Sequence, residues 1–293
     1  MRADQDSNHR RAGTARRCFR ILELLAEEPY LHSLADISVA LQLPKSSTHR
    51  LIGLLVDAEF VDVDASTRRY SLTAKVLWIG SSYLRNSAVE RSALTVMTQL
   101  SAEAGTTSHL AVWEGDSVLI IHSTDPPNAT SLFVEVGERR PVHATALGKA
   151  LLAFRSETDV ERICNGPMIA YTPRTITTPA ALEEELARVR QAGVAVDHEE
   201  YALGLGCMAA PIRNHQGVAA ALGISGDLSL LEGEQLPRLK RLVRDAALRV
   251  SAQLGSRRFS GQVLDTRDGA IPSSRSSAGH HVADSKLPPA DQP

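Results

Sequence analysis

The chain has 293 residues, of which 43% are hydrophobic and 23% are charged, and its formal net charge is −2. This is enough apolar material for two folded domains. No apolar run reaches the length of a membrane span, and the N-terminus lacks the apolar centre of a signal peptide. We therefore expect a cytoplasmic protein that does not bind a membrane.

The three cysteines, Cys18, Cys164 and Cys207, are far apart and form no Cys/His cluster with metal-ligand spacing. Reduced thiols are expected, with no metal site and no cofactor. His280 and His281 are too sparse a pair to indicate a metal site and are interpreted as incidental.

Positive charge is concentrated near the N-terminus, although the chain as a whole is slightly acidic. The segment between Asp6 and Glu23 contains no acidic residue and five arginines: Arg10, Arg11, Arg16, Arg17 and Arg20. Such a segment can bind the phosphates of DNA, and taken alone it is equally well explained as a solvated leader. Residues 1–14 are predicted to be a basic, disordered arm.

Three short helices are predicted after this arm. An apolar stripe that starts at Cys18 has helical spacing and ends before Pro29. Ser33 and Asp36 have the spacing of a capping box, which predicts the start of a second helix. Pro44 can be the first residue of a third helix, so that a tight turn separates the second helix from the third.

The third predicted helix has the composition of a DNA recognition helix. Residues 45–50 carry only side chains that can bind base edges or phosphates, with Ser46 and Ser47 as phosphate candidates and Lys45 and Arg50 as base-reading candidates. Two strand-like runs at 60–63 and 69–72, joined by a polar turn, predict a wing that meets the DNA backbone or minor groove. The predicted DNA contacts are Arg16, Arg17, Lys45, Ser46, Ser47, Thr48, His49, Arg50, Arg68 and Arg69. A protein-docking module with a solvated polar face is the alternative interpretation.

The rest of the chain predicts a second domain of mixed helices and strands. Thr73 can cap a linker helix at 74–87, and a further helix ends near Gly105. Strands are predicted at 106–113, 117–123, 131–136, 207–212 and 218–225, and helices at 146–154, 179–192 and 234–254. The predicted fold class is α+β: a winged helix-turn-helix at 15–73, the linker helix, an α/β domain at 88–254 with a mainly antiparallel sheet, and a disordered tail at 255–293.

Four blocks of this sequence resemble the IclR family of transcriptional regulators. They are LPKSSTHRLIGLLVDAEFV, PVHATALGKALLA, TPRTITTPAALEEELARVRQAGVAVDHEE and GCMAAPIRNHQGVAAALGISG, which begin at Leu43, Pro141, Thr172 and Gly206. The resemblance spans about residues 15–254. It implies a transcription regulator that binds a double-stranded DNA operator as a homodimer or homotetramer, with a GAF-like domain that binds a small organic acid.

The resemblance also implies where that acid binds. The implied effector contacts are Ala146, Leu147, Gly148, Asp197, Leu205, Cys207, Gly223 and Ser225. Backbone amides at the start of the helix at 146–154 can hold a carboxylate, which predicts that no positive side chain is needed. Gly223 stands where the family has a serine, so the pocket is expected to have room for a bulkier acid.

Two other functions remain open at this point. Cys207 could be the nucleophile of a cysteine hydrolase with His143 or His198 as its base, although their spacing does not support this. A cysteine in an apolar strand is more often buried, with a raised pKa. The second domain could also serve only for oligomerisation. A regulator is predicted, not an enzyme.

Overall fold

The computed structural model describes the backbone of residues 2–27, 32–127, 136–231 and 233–255. Most of the predicted strand at 131–136, and the predicted tail beyond residue 255, lie outside these ranges. Within them the chain forms nine α-helices and two antiparallel sheets. This arrangement confirms the α+β prediction.

The N-terminal domain is a winged helix-turn-helix. Its elements are α1 (Arg2–Glu27), β1 (His32–Ser33), α2 (Leu34–Ala40), α3 (Lys45–Asp57), β2 (Val61–Val63) and β3 (Arg69–Leu72), with the strands in the order β1-β3-β2. Ile21, Ile37 and Leu51 meet in a core that is closed to solvent. Each comes from one of the three helices, so burial of a single stripe per helix holds this domain together.

Helix α1 begins at Arg2, so its first turns cover residues for which the composition predicted a disordered arm. The segment 2–27 contains no proline and a single glycine, Gly13, so nothing in it forces the helix to stop. The apolar stripe from Cys18 to Leu25 anchors the C-terminal half of α1 on the core. The backbone of the predicted arm therefore continues a helix whose C-terminal half is packed.

Local hydrogen bonds fix both the start of α2 and the turn between α2 and α3. Ser33 and Asp36 form the predicted capping box, with the Ser33 N–H donating to Asp36 Oδ2 at 2.9 Å. The Leu43 N–H donates to the Ser38 carbonyl at 3.0 Å, and the Ser38 hydroxyl donates back to the Leu43 carbonyl at 2.6 Å. Pro44 lies one position before α3, as its N-cap, instead of being its first residue.

Two helices connect the domains, and the first of them begins at its predicted cap. The Thr73 side chain accepts the Lys75 N–H at the start of α4 (Ala74–Asn86), and Ser87 caps α5 (Ala88–Ala104). Helix α5 ends at Gly105, which has the left-handed conformation that favours glycine. Helix α5 buries one side on the second domain, whereas α4 buries no residue in the single chain.

The second domain is a six-stranded antiparallel sheet between two layers of helices. Its strands are β4 (Thr107–Glu114), β5 (Ser117–Thr124), β6 (Arg139–Pro141), β7 (Ala195–His198), β8 (Leu205–Asn214) and β9 (Gly217–Asp227), in the order β6-β5-β4-β9-β8-β7. Helices α5 and α9 (Gln235–Gln253) cover one face. Helices α6 (Ala146–Leu152), α7 (Glu157–Cys164) and α8 (Pro179–Ala192) lie on the other face. The cavity described below is on this face too. Three of these elements, α7, β6 and β7, were not predicted, because they are too short for periodicity to identify.

Candidate functional site

Helix α3 presents a polar face to solvent. Lys45, Ser46, His49 and Arg50 are exposed, and Ser47 is partly exposed. Thr48 was predicted to contact DNA, but its side chain is closed to solvent and its hydroxyl donates to the Pro44 carbonyl at 3.2 Å. The prediction for Thr48 is therefore wrong in this structure, because the residue lies on the inward stripe of the helix.

The predicted contacts on α1 and on the wing are also at the surface. Arg16, Arg17, Arg68 and Arg69 are all exposed. Arg50 of α3 is close enough to Cys18 of α1 for its charge to act on the pKa of that thiol. Burial is the larger influence and raises this pKa, whereas Arg50 lowers it. The N-terminal domain thus carries positive charge on α1, α3 and the wing.

The wing turn is organised around Asp64. Its Oδ1 accepts the Ser66 N–H at 2.8 Å, the Ser66 hydroxyl at 2.6 Å and the Thr67 N–H at 2.7 Å. These hydrogen bonds, first among them that of the Ser66 hydroxyl, lower the pKa of Asp64 to about 2. The turn places Arg68 at its tip with a φ of 56°, while Arg69 lies close enough to Asp36 to help lower the pKa of that carboxyl, after the hydrogen bonds of Ser33.

A cavity in the second domain contains about 450 Å³ of empty space, part of which opens to solvent. It lies between the sheet and the start of α6, a position that suits a small ligand. Seven of the eight residues implied as effector contacts line it: Ala146, Leu147, Asp197, Leu205, Cys207, Gly223 and Ser225. Strand pairing explains part of this grouping, because Asp197 on β7, Cys207 on β8 and Ser225 on β9 are consecutive partners across the sheet.

A buried histidine forms one wall of the cavity. His109 Nε2 lies 2.6 Å from the Ser225 hydroxyl, and His109 Nδ1 lies 3.0 Å from the Ser123 hydroxyl. Burial lowers the pKa of His109 to about 4. The charge of Asp125 acts to raise this pKa, and the charge of Arg140 acts to lower it. His109 is therefore neutral at neutral pH and orients the Ser225 hydroxyl through a hydrogen bond.

The opposite wall carries an acidic residue and a thiol. Asp197 is 1% exposed, and its Oδ1 accepts the Glu200 N–H at 2.6 Å. Burial raises the pKa of Asp197 to about 7. Burial also raises the pKa of Cys207 well above its ordinary value, and the neighbouring Asp197 raises it further. Both side chains are thus uncharged over more of the physiological pH range than they would be in water.

One cation lines the cavity among the described residues. The guanidinium carbon of Arg140 lies 4.4 Å from the centre of the Tyr201 ring, which itself lies 5.1 Å from the Tyr171 ring. Arg140 also donates to Glu138 Oε2 at 2.6 Å. Its charge lowers the pKa values of both His109 and Cys207, so it is within electrostatic reach of both polar walls.

Comparisons with known proteins identify the chain. A model of the IclR helix-turn-helix domain matches residues 14–65, and a model of the C-terminal domain of the bacterial transcriptional regulator IclR matches residues 81–252. The chain belongs to the IclR family of bacterial transcriptional regulators. It is 33% identical over 257 residues to the transcriptional regulator KdgR of Escherichia coli strain K12, which covers 86% of this chain and 97% of that protein.

Solved structures of IclR regulators have the same fold. A regulator from Alicyclobacillus acidocaldarius is 30% identical, with a TM-score of 0.74 over 83% of this chain and 99% of that one. An IclR homologue from Microbacterium hydrocarbonoxydans, crystallised in complex with 4-hydroxybenzoate, is 26% identical, with a TM-score of 0.71 over 83% of this chain and all of that one. Within the described residues of the present IclR regulator, no helix has the length and apolarity needed to cross a membrane.

Gly148 does not line the cavity of this IclR regulator, although the resemblance implied a contact. Its N–H already donates to the Thr145 hydroxyl at 3.2 Å. A Cβ atom at this position would lie 2.3 Å from the Val142 carbonyl oxygen, so the glycine permits the close packing of α6 on the preceding loop. The Gly148 amide is thus engaged within α6, whereas Ala146 and Leu147 line the cavity together with Arg140.

Gly223 lines the cavity but does not open space there. A Cβ atom on it would lie 2.4 Å from the Met208 carbonyl oxygen and 3.0 Å from the Ala209 Cβ. The expectation that a larger pocket follows from this glycine is therefore wrong, because the adjacent strand occupies the space. The glycine instead lets β8 and β9 approach closely beside the cavity.

Sequence reasoning missed the cavity residues His109, Arg140 and Tyr201. The alternation along β4 places His109 on the same face as the cavity, which is a usable signal once β4 is paired with β9. Arg140 lies directly before the second family-like block, and Tyr201 directly after the third. Neither has a local pattern that indicates its role.

Proposed function

We propose that this IclR regulator binds a small organic acid in the cavity, with the carboxylate bound by Arg140, and that the bound acid changes its affinity for an operator. Arg140 carries the proposal, since it is the cation among the described cavity residues. Guanidinium–carboxylate hydrogen bonds are among the stronger ones in proteins. The 4-hydroxybenzoate in the Microbacterium hydrocarbonoxydans relative supports the ligand class.

Calorimetry tests this role directly. The panel contains 4-hydroxybenzoate, benzoate, pyruvate and glyoxylate, each with its uncharged amide or aldehyde counterpart. We expect at least one acid to bind, at least about tenfold more tightly than its uncharged counterpart, since a charged hydrogen bond contributes roughly 1.5–3 kcal/mol. An uncharged counterpart that binds as tightly as its acid would contradict the assignment.

Substitution of Arg140 separates its role from a general effect of surface arginines. Arg140→Gln is expected to abolish the difference between acid and amide. The matched control is Arg155→Gln, because Arg155 also lies over an aromatic ring, 4.8 Å from the centre of Trp113, but does not line the cavity. The control should retain the preference for the acid.

We further propose that α3 reads base edges of a pseudo-palindromic operator, with Arg50 as a base contact. The exposed position of Arg50 on α3 supports this. Arg50→Ala should abolish specific retardation of the operator, because a base-edge contact contributes about 1–3 kcal/mol of discrimination. Arg188→Ala, on α8 of the second domain, is the control and should bind normally. Normal footprints from the Arg50 variant would remove this residue from the reading role.

We propose a homodimer formed through α4. Leu77, Trp78, Ile79 and Tyr83 of this helix are between 45% and 73% exposed, and α4 buries no residue in the single chain. A helix with apolar residues on several sides needs a partner to cover them. A second copy fits, because a pseudo-palindromic operator requires two-fold symmetry. Trp78→Glu should yield monomers in light scattering, whereas Leu248→Glu on α9 should not. A homotetramer would require a further contact.

A catalytic role for Cys207 is not part of the proposal. A nucleophilic cysteine needs a lowered pKa, and burial and Asp197 both raise the pKa of this thiol. No candidate acid should be turned over on incubation with the protein.

We also propose a cytoplasmic location, because a regulator that binds operators must have access to the chromosome.

A further inference from the structure

The cavity holds an acidic group whose charge conflicts with an acid ligand. Charged or titratable groups surround Asp197 from each element packed against it: the Cys207 thiol on β8, the Lys149 amine on α6, the Glu200 carboxylate and the Tyr201 phenol after β7, the Arg140 guanidinium on β6 and the His109 imidazole on β4. His109 is neutral, so Arg140 is the cation that faces the cavity. If Asp197 were ionised, a bound carboxylate would be a second anion in the cavity, with Arg140, among the described cavity residues, as the one cation to balance both.

Lys149 acts to lower the pKa of Asp197 through its charge, against the larger effect of burial, but forms no ion pair with it. Its amine is closed to solvent, donates to the Val196 carbonyl at 2.7 Å, contacts Glu200 Oε1 and lies 3.4 Å from Glu185 Oε1. The two ion pairs of Lys149 are thus with other carboxylates, and the described residues give Asp197 no ion pair of its own. The Lys149–Glu200 pair instead fixes the backbone whose N–H binds Asp197 Oδ1.

Burial of a second anion beside Asp197 favours the protonated form of its carboxyl. A like charge within a few ångströms disfavours ionisation, and low exposure strengthens the effect. Burial by the protein itself already raises the pKa of Asp197 to about 7. An acid in the cavity should raise it further, and a protonated carboxyl becomes a hydrogen-bond donor.

Resting on the effector role proposed above, we infer that Asp197 is a specificity-determining residue that binds the acid in its protonated form. Its O–H donates a hydrogen bond to a carboxylate or carbonyl oxygen of the ligand, while Arg140 balances the ligand charge. The proton comes from solvent, so binding to the ionised form of Asp197 takes up one proton and changes no covalent bond of the ligand. The sensor thereby selects ligands that offer an acceptor at Asp197.

Calorimetry of the full chain in two buffers of different ionisation enthalpy tests this inference. The probes are the panel acids, starting with 4-hydroxybenzoate, at a pH of about 7.5. We expect an uptake of between about one half and one proton per acid bound, and an affinity that falls up to about tenfold per pH unit above neutrality. In Asp197→Asn, whose amide still donates a hydrogen bond, the acid should bind without proton uptake and with an affinity independent of pH.

A matched control is His198→Gln. His198 follows Asp197 in β7 but alternates to the opposite side of the strand, away from the cavity lining, so its substitution changes a neighbouring polar side chain outside the cavity. This variant should keep the proton uptake of the unaltered protein. An acid that binds without proton uptake, or uptake that persists in Asp197→Asn, would overturn this inference alone. Failure of every panel acid to bind would overturn the proposed function and this inference together.

Discussion

Arg139 and Arg140 are consecutive residues of β6, and the guanidinium group of Arg139 contacts the DNA-binding domain while that of Arg140 lies at the cavity. Arg139 Nη1 lies 3.6 Å from Glu27 Oε1 at the end of α1, and its Nη2 lies 3.0 Å from Glu114 Oε1. Arg140 lies on the cavity wall over Tyr201. A shift of β6 that accompanies ligand binding at Arg140 would therefore act directly on a contact with the DNA-binding domain.

This arrangement predicts that Arg139→Gln weakens the communication between the cavity and DNA. The ratio of operator affinities with and without a bound acid should move towards one, while the affinity for the acid itself stays unchanged. The exposed ion pair contributes about 0–1 kcal/mol, so the melting temperature should change little. Fluorescence anisotropy with a labelled operator measures the ratio.

Arg162→Gln is the control for that measurement. Arg162 forms exposed ion pairs with Asp116 and Asp159 within the second domain. Its substitution should preserve the ratio of operator affinities. An Arg139 variant that responds to the acid as strongly as the unaltered protein would exclude this ion pair from the communication.

Gly223→Ser is predicted to destabilise the second domain, instead of adjusting ligand preference. Its Cβ would lie 2.4 Å from the Met208 carbonyl oxygen, so the β8–β9 backbone must move. Overpacking of this kind costs about 1–3 kcal/mol. Urea unfolding should show a lower midpoint, whereas Gly53→Ala, with no atom within 4 Å of its added Cβ, should be neutral or slightly stabilising. An unchanged midpoint for the Gly223 variant would show that the strands can separate at no cost.

The sequence predicted what local chemistry determines. Helix α8 begins after Thr178 and ends at Gly193 as predicted, because a side-chain cap, an initial proline and a left-handed glycine act within a few residues. The cavity is different, because Arg140 and Asp197 come from opposite edges of the sheet. Their proximity depends on the pairing of six strands, which single-sequence periodicity does not determine.

Small errors in the predicted site have the same origin. Thr48 is chemically suited to DNA, and only the rotation of α3 on its core makes it inaccessible. Gly223 was interpreted as space, since a sequence does not reveal how closely the next strand approaches. Family resemblance located the strands of the cavity, but not the charge that faces a ligand inside it.

Removal of residues 1–13 should weaken DNA binding while sequence preference is retained. This deletion eliminates Arg2, Arg10 and Arg11, which we predict to bind phosphates. Affinities for operator and random DNA should fall together, and the dependence of log affinity on log salt should flatten by about one unit for each phosphate that is no longer bound. Salt titrations of the full and shortened chains measure this. Equal slopes would show that these arginines do not touch DNA.

Asp197→Asn should stabilise the protein above neutral pH, even without any ligand. The pKa of Asp197 rises from its ordinary value of 3.8 to about 7 on folding, mainly through burial. Between these values the folded state keeps a proton that the unfolded state has released, so stability falls as the pH rises from about 4 to about 7 and stays low above. The loss is on the order of 4 kcal/mol, and an amide at this position avoids it.

Urea unfolding at a pH of about 4.5 and of about 8 measures this effect. The Asn variant should be close to the unaltered protein at the lower pH and clearly more stable at the higher one. Asp227→Asn provides a control of opposite sign, because hydrogen bonds from Ser229 lower the pKa of Asp227, so its carboxylate stabilises the fold at the higher pH. If the Asp197 variant differs from the unaltered protein by the same amount at both pH values, Asp197 does not titrate in this range, and the inference of a protonated Asp197 that donates a hydrogen bond to the acid is wrong.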